Sequence, residues 1–180
     1  PPTTPPTPNR GRTMHEAIHK LSTFTAVVCE VRDDLKATLP GLLMLIENIE
    51  AEHSTDRIAM GIRGCMVPLA KLLSECIDKL QACANPLRQA PQGVSMREAL
   101  DMAENLTNAV SGVAKNLRAT VYCYRHLIQL IERKHADNSA AVNTIGGMVP
   151  LCALLTTCVT RLQDAAAKAP GHQHTQGERP

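Results

Sequence analysis

The chain has 180 residues, a formal net charge of +2, and 44% hydrophobic and 20% charged residues. It contains no Trp, one Phe and two Tyr, so its core must consist of aliphatic, Met, Ala and Cys side chains. That composition favours packed helices over sheets. Basic and acidic residues are interspersed and aromatic residues are too few for a base-stacking surface, so we expect no nucleic-acid binding.

The apolar runs reach about eight residues, whereas a membrane-spanning helix needs about twenty, so no transmembrane segment is expected. No basic segment followed by an apolar run is present, which argues against a signal peptide. We therefore predict a cytoplasmic protein. The chain starts on Pro1 rather than Met, so removal of a signal and secretion stay open as an alternative.

The sequence repeats itself at an offset of 82 residues. Aligning 13–81 with 95–163 without a gap gives 25 identities in 69 positions. The best-matched stretch is GCMVPLAKLL from Gly64, which returns as GGMVPLCALL from Gly146. Self-similarity at a fixed period indicates a repeated structural unit, so we interpret the chain as a tandem duplication.

Both repeats open on a capping box. Thr13-x-x-Glu16 and Ser95-x-x-Glu98 each offer a hydroxyl to a free backbone N–H, while the Glu reaches back to the cap. Each motif therefore predicts a helix N-terminus.

Apolar residues then recur at spacings of three and four, which predicts long helices over 14–53 and 96–135. Polar turns follow, and second helices are predicted over 56–84 and 138–168. With a strap at 86–94, this order predicts an all-α, up-down four-helix bundle of two tandem αα-hairpins.

Prolines lie inside three of these helices. Pro40 in the first helix, and Pro68 and Pro150 in the second helices, each remove a hydrogen bond and predict a kink. A true break at Pro40 and its counterpart would give six helices instead of four. The stripe predicted to face the core in the helix over 56–84 comprises Ile58, Ile62, Cys65, Leu69, Leu72, Cys76, Leu80 and Cys83.

The bundle is predicted to occupy 13–170, with repeat 1 over 13–85 and repeat 2 over 95–168. Residues 1–12 and 171–180 flank it and lack the apolar residues needed for a core, so both are predicted to be disordered.

The proline-rich arm carries a candidate partner-binding motif. Pro5, Pro8 and Arg10 fit the P-x-x-P-x-R pattern that SH3 domains bind. The alternative interpretation of the arm is a spacer.

The seven cysteines are an odd number and contain no C-x-x-C pair. Of these, only Cys76 and Cys158 correspond between the repeats. We interpret the cysteines as reduced, buried thiols in a reducing compartment. A secreted disulfide scaffold is the alternative.

Two Glu-x-x-His motifs end the long helices, at Glu50–His53 and Glu132–His135. Carboxylate-bridged four-helix bundles place such a motif on two of their helices and a further Glu on the other two, so these four residues are a candidate metal site. The second helices offer no Glu at that level. The alternative role for His53 and His135 is stabilisation of a helix C-terminus.

His15, Glu16 and His19 spell H-E-x-x-H and resemble the zinc-binding helix of metalloproteases over five residues. The second repeat has Arg97 and Asp101 in place of the two histidines. No nucleophile elbow, P-loop or dinucleotide-binding motif is found. We therefore predict no enzymatic activity, no catalytic residue and no cofactor.

The predicted function is a non-catalytic protein-interaction module, an adaptor or scaffold. Its predicted partner is an amphipathic helix, or an SH3-type domain on the arm. One alternative is a carrier or sensor of an apolar ligand such as a fatty acid, lined by Met66, Leu69, Met148 and Leu151. The second alternative is a metal-binding bundle.

Overall fold

A computed structural model describes the backbone of residues 10–88 and 95–170, and the side chains of 15–85 and 95–170. This part of the chain forms four helices and no strand, which confirms the predicted all-α four-helix bundle. The helices are α1 (Arg10–His53), α2 (Arg57–Arg88), α3 (Met96–Lys134) and α4 (Ser139–Ala167).

Each helix packs mainly on two neighbours. α1 contacts α2 and α4 along its length, and α3 contacts α2 and α4, whereas α1 and α3 meet much less, as do α2 and α4. α1 and α3 therefore occupy opposite corners of the bundle. The core between the four helices is aliphatic, with Tyr124 and Phe24 as its buried aromatic side chains.

The apolar stripes predicted for α1, α3 and α4 face this core. In α3, for example, Val110, Val113 and Leu117 are essentially inaccessible to solvent. The predicted capping box of α3 is also confirmed, because the hydroxyl of Ser95 accepts from the N–H of Glu98 at 3.3 Å. The Glu98 carboxylate in turn accepts from the N–H of Ser95 at 2.8 Å.

The two hairpin turns have the same construction. The N–H of Asp56 donates to the carbonyl of His53 at 3.0 Å, and the N–H of Asn138 donates to the carbonyl of His135 at 3.1 Å. These positions are 82 residues apart. Equal hairpins can also arise without gene duplication, so the duplication itself stays a prediction from the sequence.

The structure contradicts the predicted N-terminus of α1 and the alternative in which α1 breaks at Pro40. The helix begins at Arg10, so Thr13 lies within it and is not its N-cap, and residues 10–12 of the predicted disordered arm are helical. α1 also continues without interruption through Pro40 to His53, so the six-helix alternative was wrong. One missing hydrogen bond is a small loss for a helix of 44 residues that is packed along its length. The predicted bends at Pro40, Pro68 and Pro150 stay predictions.

Two features of α2 also differ from the prediction. The helix extends past Pro86 to Arg88, which shortens the connector to α3. Its core-facing stripe is rotated by about one residue, so that Met66 and Leu73 are buried while Cys65 is exposed and Leu69 is half-buried. The buried stripe is Ala59, Ile62, Met66, Ala70, Leu73, Cys76, Ile77, Leu80 and Ala84.

Candidate interaction surface

The predicted metal ligands of the first repeat have other partners or roles. The carboxylate of Glu50 pairs with the guanidinium of Arg63 on α2, at 2.5 Å. His53 is half-buried, and its carbonyl closes the α1–α2 turn. The pair at this helix end therefore serves packing and turn formation.

The equivalent residues of the second repeat are arranged similarly. Glu132 is exposed, and His135 forms the C-cap of α3, with its N–H donating to the carbonyl of Ile131 at 2.8 Å. Within residues 15–85 and 95–170, no three His, Cys, Asp or Glu side chains form a group that could hold a metal ion. The structure does not bring Glu50, His53, Glu132 and His135 into one ligand set.

The H-E-x-x-H residues lie on the surface of α1. His15, Glu16 and His19 are all exposed. Glu16 forms an ion pair with Lys20 at 2.9 Å, and the ring of His19 is 3.2 Å from the hydroxyl of Thr23. These contacts are those of a solvated helix face.

A groove, here called the central groove, opens on the surface between α1 and α4. Its volume is about 570 Å³. Leu45 of α1 packs directly onto the backbone of Gly147 of α4, where a Cβ would lie only 2.8 Å from Leu45 Cδ2. The lining is almost entirely apolar and comprises Thr38, Gly41, Leu42, Met44, Leu45, Asn48, Gly147, Pro150, Leu151 and Leu154.

Both walls of the central groove lack charge. Residues 37–46 of α1 contain no charged side chain, and residues 139–160 of α4 contain none either. Apolar lining residues are nevertheless exposed: Met44 is 60% exposed, and Gly147 and Pro150 are also exposed. An outer surface of this kind is unusual, because exposed helix faces are ordinarily rich in charged residues.

A second groove, of about 650 Å³, lies further along the same α1–α4 seam. Its floor includes Phe24, Val27 and Ala165, and charged residues such as Lys20 and Asp164 line its rim. This groove contains Glu16 and His19 from the H-E-x-x-H stretch.

Arg161 of α4 lies on the seam toward the second groove, which it also lines. Its guanidinium donates to the carboxylate of Asp34 at 2.8 Å and also binds the carboxylate of Glu30, both on α1. This ion-pair cluster ties α4 to α1 and bounds the uncharged part of the seam at one end.

The residues predicted to line an apolar-ligand site are mostly part of the packed core. Met66 and Met148 are completely buried and Leu69 is half-buried. Leu151 is the member of this set that reaches the central groove. The predicted motif for an SH3-type partner is placed only in part, because Pro5 and Pro8 lie outside the described residues and Arg10 is the first residue of α1.

All seven cysteines are free thiols. Cys76 and Cys158 occupy equivalent positions in the core, and burial raises the pKa of each thiol to about 11. Protonated thiols in such surroundings act as small apolar side chains, and this agrees with their predicted packing role. Cys65 and Cys123 are exposed.

Among the described helices, α4 is long and apolar enough to cross a membrane, with a mean hydropathy of 1.6 over an 18-residue window. The core helix of a folded bundle meets the same criterion, and α4 buries Met148, Leu155 and Leu162 against its neighbours. The absence of a transmembrane segment stays a prediction.

Comparison of the chain with protein-family models, with curated proteins and with solved structures finds no match. The functional interpretation therefore rests on the surface of the bundle itself.

Sequence reasoning missed the central groove, although a signal for it was present. The uncharged runs 37–46 and 139–160 are visible in the sequence, and a helix that exposed one face to water along its whole length would carry charges there. That the two runs lie side by side, and that a trough separates them, is decided by the packing of α1 on α4.

Proposed function

We propose that this protein is a non-catalytic protein-interaction module that binds an amphipathic helix of a partner in the central groove. The observation that supports this proposal most directly is the uncharged, apolar trough between α1 and α4. An amphipathic helix that lays its apolar face into such a trough is a common mode of peptide recognition.

The dimensions of the groove walls suit a helix. The uncharged run of α4 spans about 33 Å and that of α1 about 15 Å, at 1.5 Å per residue. A third helix laid along two neighbours contacts both at an interaxial distance of about 8–10 Å. Such a partner would bury Met44 and Pro150, which water now contacts.

The charges at the ends of the trough define the partner further. The Arg161 cluster with Glu30 and Asp34 lies toward one end, and the exposed carboxylate of Glu52 lies toward the other. A partner helix should therefore carry its polar and charged residues at its ends and on its outer face, with apolar residues at i, i+3, i+4 and i+7 between them.

The uncharged face is particular to α4. The outer face of α2 carries charged side chains at Lys71, Glu75, Asp78 and Lys79, where the equivalent positions of α4 are Ala153, Thr157, Thr160 and Arg161. The two helices are identical at seven of ten positions over 64–73 and 146–155, so α2 supplies an internal comparison for the role of the α4 surface.

We further propose that the protein acts in the cytoplasm. Seven free thiols, several of them buried as packing residues, support a reducing compartment.

The test uses displayed helical peptides as probes. A library of 18-residue peptides is built with apolar residues at i, i+3, i+4 and i+7 and polar residues elsewhere, and it is selected on the full chain. Enriched peptides are then measured by calorimetry against Met44→Glu and Leu154→Glu, both at positions that line the groove. Each variant places a charge where the peptide would be buried, so binding should weaken at least about tenfold, or 1.4 kcal/mol.

The matched control is Leu72→Glu. Leu72 is the equivalent of Leu154 on α2 and is likewise half-buried, so the substitution introduces the same charge at a comparable site away from the groove. Peptides should bind this variant as they bind the native chain. Failure to enrich any peptide, or binding to Leu154→Glu as tight as to the native chain, would contradict the proposal.

A carrier of an apolar ligand is the second candidate, and it is supported by the presence of Leu151 in the central groove. Mass spectrometry of organic extracts from the native protein tests it. A stoichiometric fatty acid that is lost in Leu154→Glu and kept in Leu72→Glu would favour the carrier, whereas an empty extract would remove it.

A further inference from the structure

The equivalent halves of α1 and α3 carry opposite charge. Residues 30–53 of α1 contain six carboxylates and two basic side chains, a net charge of −4 with histidine neutral. Residues 112–135 of α3 contain five basic side chains and one carboxylate, a net charge of +4. Both segments are α-helical and occupy equivalent positions in the two repeats, so they differ in the charge of their exposed side chains.

On α3 the charge forms a stripe on the outer face, here called the basic stripe. The stripe comprises Lys115, Arg118, Tyr122, Arg125, His126, Gln129 and Arg133, at helical spacings of three and four, and all of them are exposed. At its centre Tyr122 is 73% exposed and stacks on His126, with ring centroids 6.4 Å apart. The stripe is about 27 Å long at 1.5 Å per residue.

The outer face of α1 carries the complementary pattern, here called the acidic stripe. It places Asp33 and Glu47 on either side of an apolar centre formed by Pro40 and Met44. All four of these residues are exposed. Both stripes thus have charged ends and an apolar or aromatic middle.

Within one molecule the two stripes cannot meet. α1 and α3 occupy opposite corners of the bundle, so their outer faces point in opposite directions. The charges of the two stripes therefore cannot pair with each other within one molecule, and Asp33 pairs instead with its neighbour Arg32.

We propose that a second copy of this chain docks its acidic stripe on the basic stripe, with its α1 antiparallel to α3. In this register Met44 packs on Tyr122, which places Asp33 opposite Arg133 and Glu47 close to Arg118. A parallel arrangement with the same Met44–Tyr122 contact would instead put Lys36 next to Lys115, and like charges opposed at an interface are unfavourable.

The contact is head-to-tail, because different surfaces of the two copies meet. Such heterologous contacts generate rings when the rotation closes and open chains when it does not. Since exposed ion pairs contribute little individually and are screened by salt, the association should be weak and sensitive to ionic strength.

Sedimentation of the full chain over a range of concentrations tests the inference. At low salt the average mass should rise with concentration above the 19.5 kDa of one chain, and at high salt it should return to that value. A mass of 19.5 kDa at every concentration at low salt would overturn it.

Charge reversal gives a sharper test. Lys115→Glu with Arg118→Glu reverses the charge at the end of the basic stripe that would face Glu47, and Glu47→Lys with Glu52→Lys reverses the charge at the facing end of α1. Each double variant alone therefore opposes like charges at that end and should stay at the single-chain mass. The four positions are exposed, and circular dichroism checks that both variants fold. Mixed one to one, the two variants again offer opposite charges and should associate.

The matched control changes the same charges elsewhere. Lys71→Glu with Lys79→Glu alters two exposed lysines on α2, outside both stripes, and should associate as the native chain does. An equal loss in this control, or no recovery in the mixture, would overturn the proposal. Binding of the basic stripe to acidic vesicles without self-association would do so as well, because it assigns the stripe to a membrane surface.

The central groove and the acidic stripe share Met44, so a bound peptide should compete with self-association, but variants outside Met44 distinguish the two proposals. Lys115 and Arg118 lie on α3, away from the central groove, so their reversal should leave binding of the selected peptides unchanged. Leu154→Glu changes the α4 wall of the groove, outside both stripes, and should leave self-association unchanged.

Discussion

The side chains of Asp56 and Asn138 join the two hairpin turns. The amide of Asn138 donates to Asp56 Oδ2 at 2.7 Å. Each of these residues also caps a helix: Asp56 Oδ1 accepts from the N–H of Ile58 at 2.8 Å, and Asn138 Oδ1 accepts from the N–H of Ala141 at 2.8 Å. The N-caps of α2 and α4 therefore hold each other, and the hydrogen bond links the two repeats at one end of the bundle.

Replacing Asn138 with Ala should destabilise the protein more than an ordinary turn substitution, because it removes a helix cap and the bond between the turns. We expect the Tm to fall by about 2–4 °C. Asp137→Ala, in the same turn, is the control and should have little effect. In a double-mutant cycle the losses from Asp56→Ala and Asn138→Ala should be less than additive. Fully additive losses would contradict the link.

Stability should decrease in acid in part through Asp56. The hydrogen bond from Asn138 lowers the pKa of Asp56 below its ordinary 3.8, and the N–H groups of Ala59 and Ile58 add to the effect. Because the folded-state pKa is lowered, this contribution is complete above the ordinary pKa and is lost as the pH falls through the lowered value. Thermal unfolding across this pH range measures it.

Asn138→Ala should reduce the acid sensitivity that comes from Asp56. Glu98, in the first turn of α3, is a second carboxylate of this kind, because its hydrogen bonds with Ser95 lower its pKa below the ordinary 4.5. Ser95→Ala should flatten the pH dependence independently of Asn138→Ala. An unchanged pH profile in Asn138→Ala would show that the bond to Asp56 is not formed in solution.

Thiol reactivity should divide the cysteines by burial. Cys65 and Cys123 are exposed and should be alkylated quickly near neutral pH. Cys76 and Cys158 are completely buried, and burial raises the pKa of each thiol to about 11, so they should react only on unfolding. Peptide mass spectrometry after timed alkylation gives the four rates. Labelling of Cys158 as fast as Cys123 would contradict the described core.

Tyr124→Phe should stabilise the bundle by about 1 kcal/mol. The Tyr124 hydroxyl is buried, no described protein group bonds to it, and burial raises its pKa above the usual range. Removing an unpaired buried hydroxyl removes its desolvation cost while the ring remains in place. Urea unfolding measures the change, with the exposed Tyr122→Phe as a control expected to be neutral. A clear loss of stability would mean that the hydroxyl has a partner.

The sequence by itself determined four helices, their approximate bounds and the core-facing sides of three of them. α1, α3 and α4 each carry one dominant apolar stripe, and burial of that stripe leaves a single orientation. Local chemistry also fixed the start of α3, because the capping box of Ser95 and Glu98 acts within one turn of helix. In α1 no capping motif marks the N-terminus at Arg10. The capping box predicted at Thr13 lies within the helix and does not start it.

Only the tertiary structure decided the orientation of α2 and the nature of the surface. α2 carries two adjacent apolar stripes, one through Cys65 and Leu69 and the other through Met66 and Leu73, and periodicity cannot choose between them. Packing against α1 and α3 buried the second. The central groove likewise depends on which uncharged runs become neighbours, and the opposed charges of α1 and α3 depend on which corners those helices occupy. These features depend on contacts between segments that are distant in sequence, and those contacts are set by how the apolar stripes of the four helices pack into one core.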